Sequence, residues 1–215
     1  MHILNQTIDF PSVEMADEQG LLAVGGDLSI ARLINAYRHG IFPWYNEDEP
    51  ILWWSPNPRC VLYPEKLKIS KSMQQLFRSK KFTFKINNAC REVISFCKNT
   101  NRKDGAGSWI NEDIIDAYTK FHQAGYVISG EAYLKGKLVG GLYGVRIGNV
   151  FFGESMFTHE SNASKFAFIQ LVLALRMEGL KLIDCQMETA HLISLGAEMI
   201  DRKKFVELLN IHCEG

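Results

Sequence analysis

The chain reads as a mixed α/β (α+β) protein in two parts, a small basic N-terminal α/β domain over residues 1–104 and a C-terminal domain over 105–215 with a mainly antiparallel sheet. Three observations carry this. With 47% hydrophobic and 22% charged residues over 215 positions, the chain has enough apolar material for a real core and too little net charge for disorder. Helical and strand-like periodicities alternate along it without repeats or low-complexity stretches. The polar, glycine-bearing run NTNRKDGAGS at 99–108 has the composition of a boundary between units.

In chain order, GLLAVGGDLS is a glycine-bearing turn that ends at a helix cap. Ser29 caps the following IARLINAYRH, Gly40 stops it, and Leu33, Ile34 and Tyr37 share its apolar face. The run GIFPWYNEDEPILWWSPNPR carries Pro43, Pro50, Pro56 and Pro58, which exclude regular helix or central strand. It is expected to be an ordered loop held by Phe42, Trp44, Trp53 and Trp54. Beyond 109, WINEDIIDAYTKFHQAG predicts a helix ending at Gly125 that buries Ile114, Ile115, Tyr118 and Phe121. Strands at 126–134, 138–147 and 149–157, turning at Lys135-Gly136 and Gly148, form an antiparallel meander. A long helix at 162–178 and a short returning strand at 181–185 complete the unit. This order resembles the core of the GCN5-related acyltransferase fold, but ESMFTHESNASK has no glycine-rich loop to hold the pyrophosphate of acetyl-CoA.

Twenty-four basic and 24 acidic residues balance overall, yet they are segregated. Between Lys66 and Lys103 stand eleven basic residues and one acid, Glu92, so this segment is net +10 and the remainder net −10. Phe77, Phe82, Phe84 and Phe96 lie among the cations, which makes the segment a folded basic face able to attract phosphates. The start MHILNQTIDFPS lacks the flank and apolar run of a signal peptide, and no stretch approaches the roughly 20 apolar residues that span a bilayer. A cytoplasmic, monomeric protein with no membrane partner is expected. Five cysteines without a CxxC pair suggest neither a disulfide framework nor a zinc site. No metal and no cofactor are expected, and Cys185 has no neighbouring Cys/His signature of a nucleophile.

Two acids stand among apolar neighbours, Glu154 in VFFGESMF and Asp184 in KLIDCQ, and each needs a partner or a cationic substrate. If the strand continues, alternation points Asp184 and Gln186 to one face, where they share a proton-transfer network. Trp44 and Trp109 are each able to stack on a base. Gly140-Gly141 inside a strand marks a bulge or a close backbone approach to a ligand. Of the six histidines, only His191 lies near these candidates, where a helix-surface position is the plainer reading.

The segments GLLAVGGDLS, AYRHGIFPWY, ILWWSPNPR, LVGGLYGV, FFGESMF, NASK, LIDCQ and SLGA run in this order across nearly the whole chain. Together they closely resemble the bacterial leucyl/phenylalanyl-tRNA-protein transferases. The resemblance implies transfer of leucine or phenylalanine, with methionine also admissible, from aminoacyl-tRNA to the N-terminal α-amine of proteins beginning with Arg or Lys. The product would be an N-degron. It further implies that Trp44 and Trp109 hold the 3′-terminal adenosine, and that Leu142, Phe168, Leu171 and Ile183 line the donor side-chain pocket. Catalysis would fall to Asp184, Gln186 and Glu154, with Asp184 polarising Gln186 and Glu154 orienting charged amino groups. An acetyl-CoA-dependent acetyltransferase and a non-catalytic RNA-binding module are the competing classes.

Overall fold

A computed structural model describes residues 2–98 and 110–213. The N-terminal strands are β1 (His2–Leu4), β2 (Leu21–Gly25), β3 (Phe42–Pro43) and β4 (Leu52–Trp54), in the order β1-β2-β4-β3. Helix α1 (Ile30–Arg38) enters between them, its Ser29 hydroxyl accepting from the Arg32 N–H at 3.4 Å. A second sheet has seven strands: β5 (Arg59–Leu62), β6 (Thr83–Ile86), β7 (Val127–Leu134), β8 (Lys137–Ile147), β9 (Val150–Thr158), β10 (Leu182–Gln186) and β11 (Glu198–Ile200). Their order is β11-β5-β10-β9-β8-β7-β6, antiparallel at every junction except the parallel pair β9/β10. The remaining helices are α2 (Lys71–Ser79), α3 (Cys90–Lys98), α4 (Glu112–Gln123), α5 (Ala163–Met177), α6 (Ala190–Ser194) and α7 (Arg202–His212).

The mixed class, the meander and the meander–helix–strand order are as expected, and two expectations are corrected. The aromatic, proline-rich run contains β3 and β4, and β4 lies inside its sheet, because Leu52–Trp54 fits between Pro50 and Pro56 and leaves every strand amide available. A boundary at 104/105 would cut the large sheet, since β5 and β6 precede it and bond to β10, β11 and β7. The change of sheet falls between β4 and β5. Strand pairing here is long-range, and a polar stretch reports local composition alone.

Period-two alternation sorts the large sheet's side chains onto two faces. Leu182, Phe152, Tyr143 and Val61 join a core with α1, α3, α4 and α7, whereas Ile183, Phe151, Leu142 and Cys60 join one with α2 and α5. Helix α5 is apolar nearly all round because so much of it is buried, from Ala163 to Leu175. A Cβ on Gly140 would stand 2.5 Å from that of Ala163, so this glycine admits the start of α5, not a ligand.

Fully buried Glu131 on β7 accepts from the N–H groups of Asn88 (2.9 Å) and Ala89 (2.8 Å) and from the hydroxyls of Ser129 and Tyr133 (each 2.8 Å). It thereby fixes the turn that leads into α3. Glu131→Ala is expected to destabilise the protein by about 2–4 kcal/mol, because it strands several buried donors at once. A denaturant midpoint equal to that of the parent would contradict this. Among the described residues, no helix is long and apolar enough to cross a membrane.

Candidate active site

Strands β9 and β10 pair only from Val150 to Phe152 and from Leu182 to Asp184, then part. Each is bulged where they part. Glu154 is skipped in the β8 register, which passes from Tyr143↔Ser155 to Gly144↔Gly153, and Cys185 is skipped between Asp184↔Val61 and Gln186↔Cys60. Gln186 takes a left-handed φ of 56°. Between the diverging strands lies a cavity of about 440 Å³. One wall is apolar, made by Leu142, Met156, Phe168, Ile183 and Leu192 of the α5-side core. Toward the other core it meets Tyr143, Glu154 and Asp184, so the split joins an apolar lobe to a polar one.

Asp184 is completely buried and held by Arg59, whose Nε donates to Oδ1 at 2.8 Å and whose Nη2 donates to Oδ2 at 2.7 Å. That guanidinium lies between the rings of Phe42 and Phe205, 4.8 and 4.7 Å from their centroids. The Gln186 backbone N–H also donates to Asp184 Oδ1, at 3.0 Å. Asp184 thus grips the Gln186 backbone through the bulge, and the expected alternation of a continuing strand is broken there.

The Tyr37 hydroxyl donates to Glu154 Oε1 (2.8 Å), the Tyr118 oxygen lies 3.4 Å from Oε2, and the two tyrosine hydroxyls also bond to one another, so two phenolic protons and the carboxyl's own proton together fill the three contacts. Desolvation raises the Glu154 carboxyl from 4.5 to about 8; the charge of Asp184 adds to the rise, while the tyrosine hydroxyls and Arg59 oppose it. Burial likewise pushes the phenols of Tyr37, Tyr118 and Tyr143 well above their ordinary value.

Because the folded-state value exceeds the unfolded one, the stabilisation tied to this proton is complete below pH 4.5 and is lost as pH rises through about 8. The melting temperature of Glu154→Gln should therefore fall less than that of the parent as pH rises from 4.5 to about 8. Parallel declines would contradict the assignment.

The structure brings Glu154, Asp184, Gln186, Leu142, Phe168 and Ile183 to one cavity. Leu171 is fully buried behind it, against Gly130, and does not line it. Trp44 pairs with Trp54 at 5.6 Å in the N-terminal sheet region, and its carbonyl accepts from the Trp54 indole at 2.7 Å; it is not among the cavity-lining residues. Trp109 lies outside the described residues. Arg59, Tyr37 and Tyr118 acquire roles that the sequence reading did not assign. In the sequence the two tyrosines stand only as apolar helix positions, and Arg59 only as the last letter of PNPR. Among the described residues no group of His, Cys, Asp and Glu could hold a metal ion.

The family model described as leucyl/phenylalanyl-tRNA protein transferase matches residues 61–210, and that of the family's N-terminal domain matches 26–57. The two matches meet where the chain changes sheets. A leucyl/phenylalanyl-tRNA–protein transferase of Christiangramia forsetii is 53% identical over 97% of this chain and 100% of its own length. Its counterpart in Flavobacterium johnsoniae is 50% identical over 97% and 99%. Among solved structures, a GCN5-related N-acetyltransferase-like protein from Streptococcus suis aligns at 18% identity with a TM-score of 0.39, over 67% of this chain and 57% of that one. An alignment so loose carries no argument about the site. The sequence matches make the chain an aminoacyltransferase. It belongs to the leucyl/phenylalanyl-tRNA protein transferase family.

Proposed function

We propose that this enzyme moves leucine or phenylalanine, and tolerates methionine, from aminoacyl-tRNA to the N-terminal α-amine of proteins beginning with Arg or Lys. It acts as a cytoplasmic monomer, and its product is an N-degron. The observation that carries the reading is the junction of an apolar lobe with a polar one at the β9/β10 split. A donor side chain fits the wall of Leu142, Phe168 and Ile183, with Leu171 supporting it from behind. One methylene in such a wall is worth only about 1–3 kcal/mol, which explains a pocket that accepts more than one large apolar side chain.

Opposite it, the Glu154 carboxyl and the tyrosine hydroxyls, uncharged at neutral pH, offer hydrogen bonds to the amino groups of the acceptor. Arg59 neutralises Asp184, so Asp184 orients Gln186 and Gln186 positions the attacking amine through its side-chain amide. Beyond Phe152 and Asp184 the two strands are unpaired with one another, which leaves room between them for the ester.

The basic segment serves the tRNA. Lys66, Lys81, Arg91 and Lys98 are paired with Glu198, Glu160, Asp116 and Glu112. Lys68, Lys71, Arg78 and Lys80 are exposed and have no ion pair among the described residues, which leaves them for phosphates. Trp44 and Trp109 hold the terminal adenosine in this reading.

A peptide series that differs only in its first residue tests the acceptor side. Labelled leucine should pass from charged tRNA to peptides beginning with Arg or Lys and not to one beginning with Asp. Equal transfer to all three would overturn this reading of the acceptor side.

A further inference from the structure

The transfer proposed above must dispose of a proton, and the groups already placed in the site are poor acceptors for it. Asp184 is fixed by both Arg59 bonds and by the Gln186 N–H. An amide such as that of Gln186 is hardly basic, and desolvated Glu154 keeps its own proton into the alkaline range. Among the other titratable side chains that edge the same cavity is an imidazole, that of His191 on α6, two residues beyond Thr189, which caps that helix with its hydroxyl at 3.2 Å from the Leu192 N–H. Its ring is half-buried, and its Nδ1 is shielded from solvent without a hydrogen-bond partner among the described residues. With Nδ1 enclosed by protein, the ring nitrogen that a ligand can reach is Nε2, which bonds to none of the described residues.

We infer that His191 is the proton acceptor and donor of the transfer step, a further catalytic residue lining the β9/β10 cavity. This rests on the aminoacyl-transfer reading. As the neutral α-amine nitrogen bonds to the ester carbonyl carbon, it gives one proton to the imidazole. When the tetrahedral intermediate collapses and the carbon–oxygen bond to the ribose breaks, the imidazolium returns that proton to the departing ribosyl oxygen. The imidazole ends the cycle neutral, and no other reactant is required.

The surroundings suit this role. Burial, with the charge of Lys165 from the first turn of α5 adding to it, holds the imidazole below its usual value, so it is neutral at pH 7. From β10 the cavity adds Cys185, whose thiol is held protonated by its contact with Cys60 and by burial, and buried Asp184, spent on Arg59. From β9 it adds Glu154. Glu188, on the segment leading into α6, is exposed to solvent.

Full-length His191→Gln and His191→Ala should be compared with the parent in single-turnover transfer from Leu-tRNA to an Arg-initiated peptide, across acid to alkaline pH. Tight tRNA binding and melting temperature are measured alongside. The Gln variant keeps shape and hydrogen bonding, and is expected to lose about 10²-fold in rate with tRNA affinity and melting temperature unchanged. On the acid side the parent's log rate should steepen where the imidazole takes its proton, whereas the variant keeps the gentler slope set by the acceptor amine. A Gln variant with the parent's rate and pH profile overturns the assignment, as does a loss confined to tRNA affinity. If the parent itself transfers nothing, the function reading falls and this inference falls with it.

Discussion

Arg59→Ala is expected to cost about 3–5 kcal/mol of stability and to reduce transfer by about a hundredfold or more. The pair it breaks is buried on both sides, with side-chain exposures of 1% for Arg59 and 0% for Asp184. Removing the cation leaves a carboxylate in a dry site, and it also opens a gap between the rings of Phe42 and Phe205. Arg59 does not line the cavity, so it is a positioning residue that acts through Asp184 and the backbone of Gln186. Arg59→Met combined with Asp184→Leu separates the two effects. Replacing a buried ion pair by apolar side chains of similar size is often neutral for stability, so the double variant should regain most of the lost denaturant midpoint while transfer stays low. A double variant that recovered both would show that the pair merely holds the fold together.

Gly144→Ala should be nearly as damaging, by about 3 kcal/mol or more. An added Cβ would lie 2.2 Å from the Phe152 carbonyl oxygen and 2.5 Å from the Phe151 ring. The first of these is backbone in the adjacent strand and cannot rotate away. Relief requires β8 and β9 to separate at the register step beside Glu154, so whatever fraction folds should also transfer poorly. Thermal melting and transfer rate, measured together, check this. A variant with unchanged melting and activity would mean that the β8/β9 spacing is looser than the register requires.

Much of this architecture is written locally in the chain. Ser29, Gly40 and the spacing of Leu33 and Tyr37 specify α1, and two short turns specify the meander, because helix caps and hairpins involve neighbours in sequence. Glu154 and Asp184 are visible as acids among apolar residues. Their partners are not, since Arg59 reaches Asp184 across 125 positions and Tyr37 reaches Glu154 across 117. The bulges at Glu154 and Cys185 are also hidden. A bulge adds one residue to one strand of a pair, and simple alternation cannot show which strand yields. For the same reason Gln186 was expected beside the Asp184 carboxylate through its side chain, and meets it through its backbone N–H instead. The prolines act differently: Pro50 and Pro56 flank β4 and leave Leu52–Trp54 free to pair, while Pro43 sits in β3 at the edge of the sheet, where a missing N–H is tolerated.

The central claim is that an ester-linked amino acid is passed to a free α-amine at the β9/β10 split. It is tested most directly by incubating the purified protein with tRNA charged with labelled leucine and an Arg-initiated peptide, beside the N-acetylated twin and an Asp184→Ala control, with and without excess acetyl-CoA. The account predicts label on the free-amine peptide alone, only with the intact enzyme, and at a rate indifferent to acetyl-CoA. Label on the acetylated twin, transfer undiminished in Asp184→Ala, or tight tRNA binding without any transfer would contradict it.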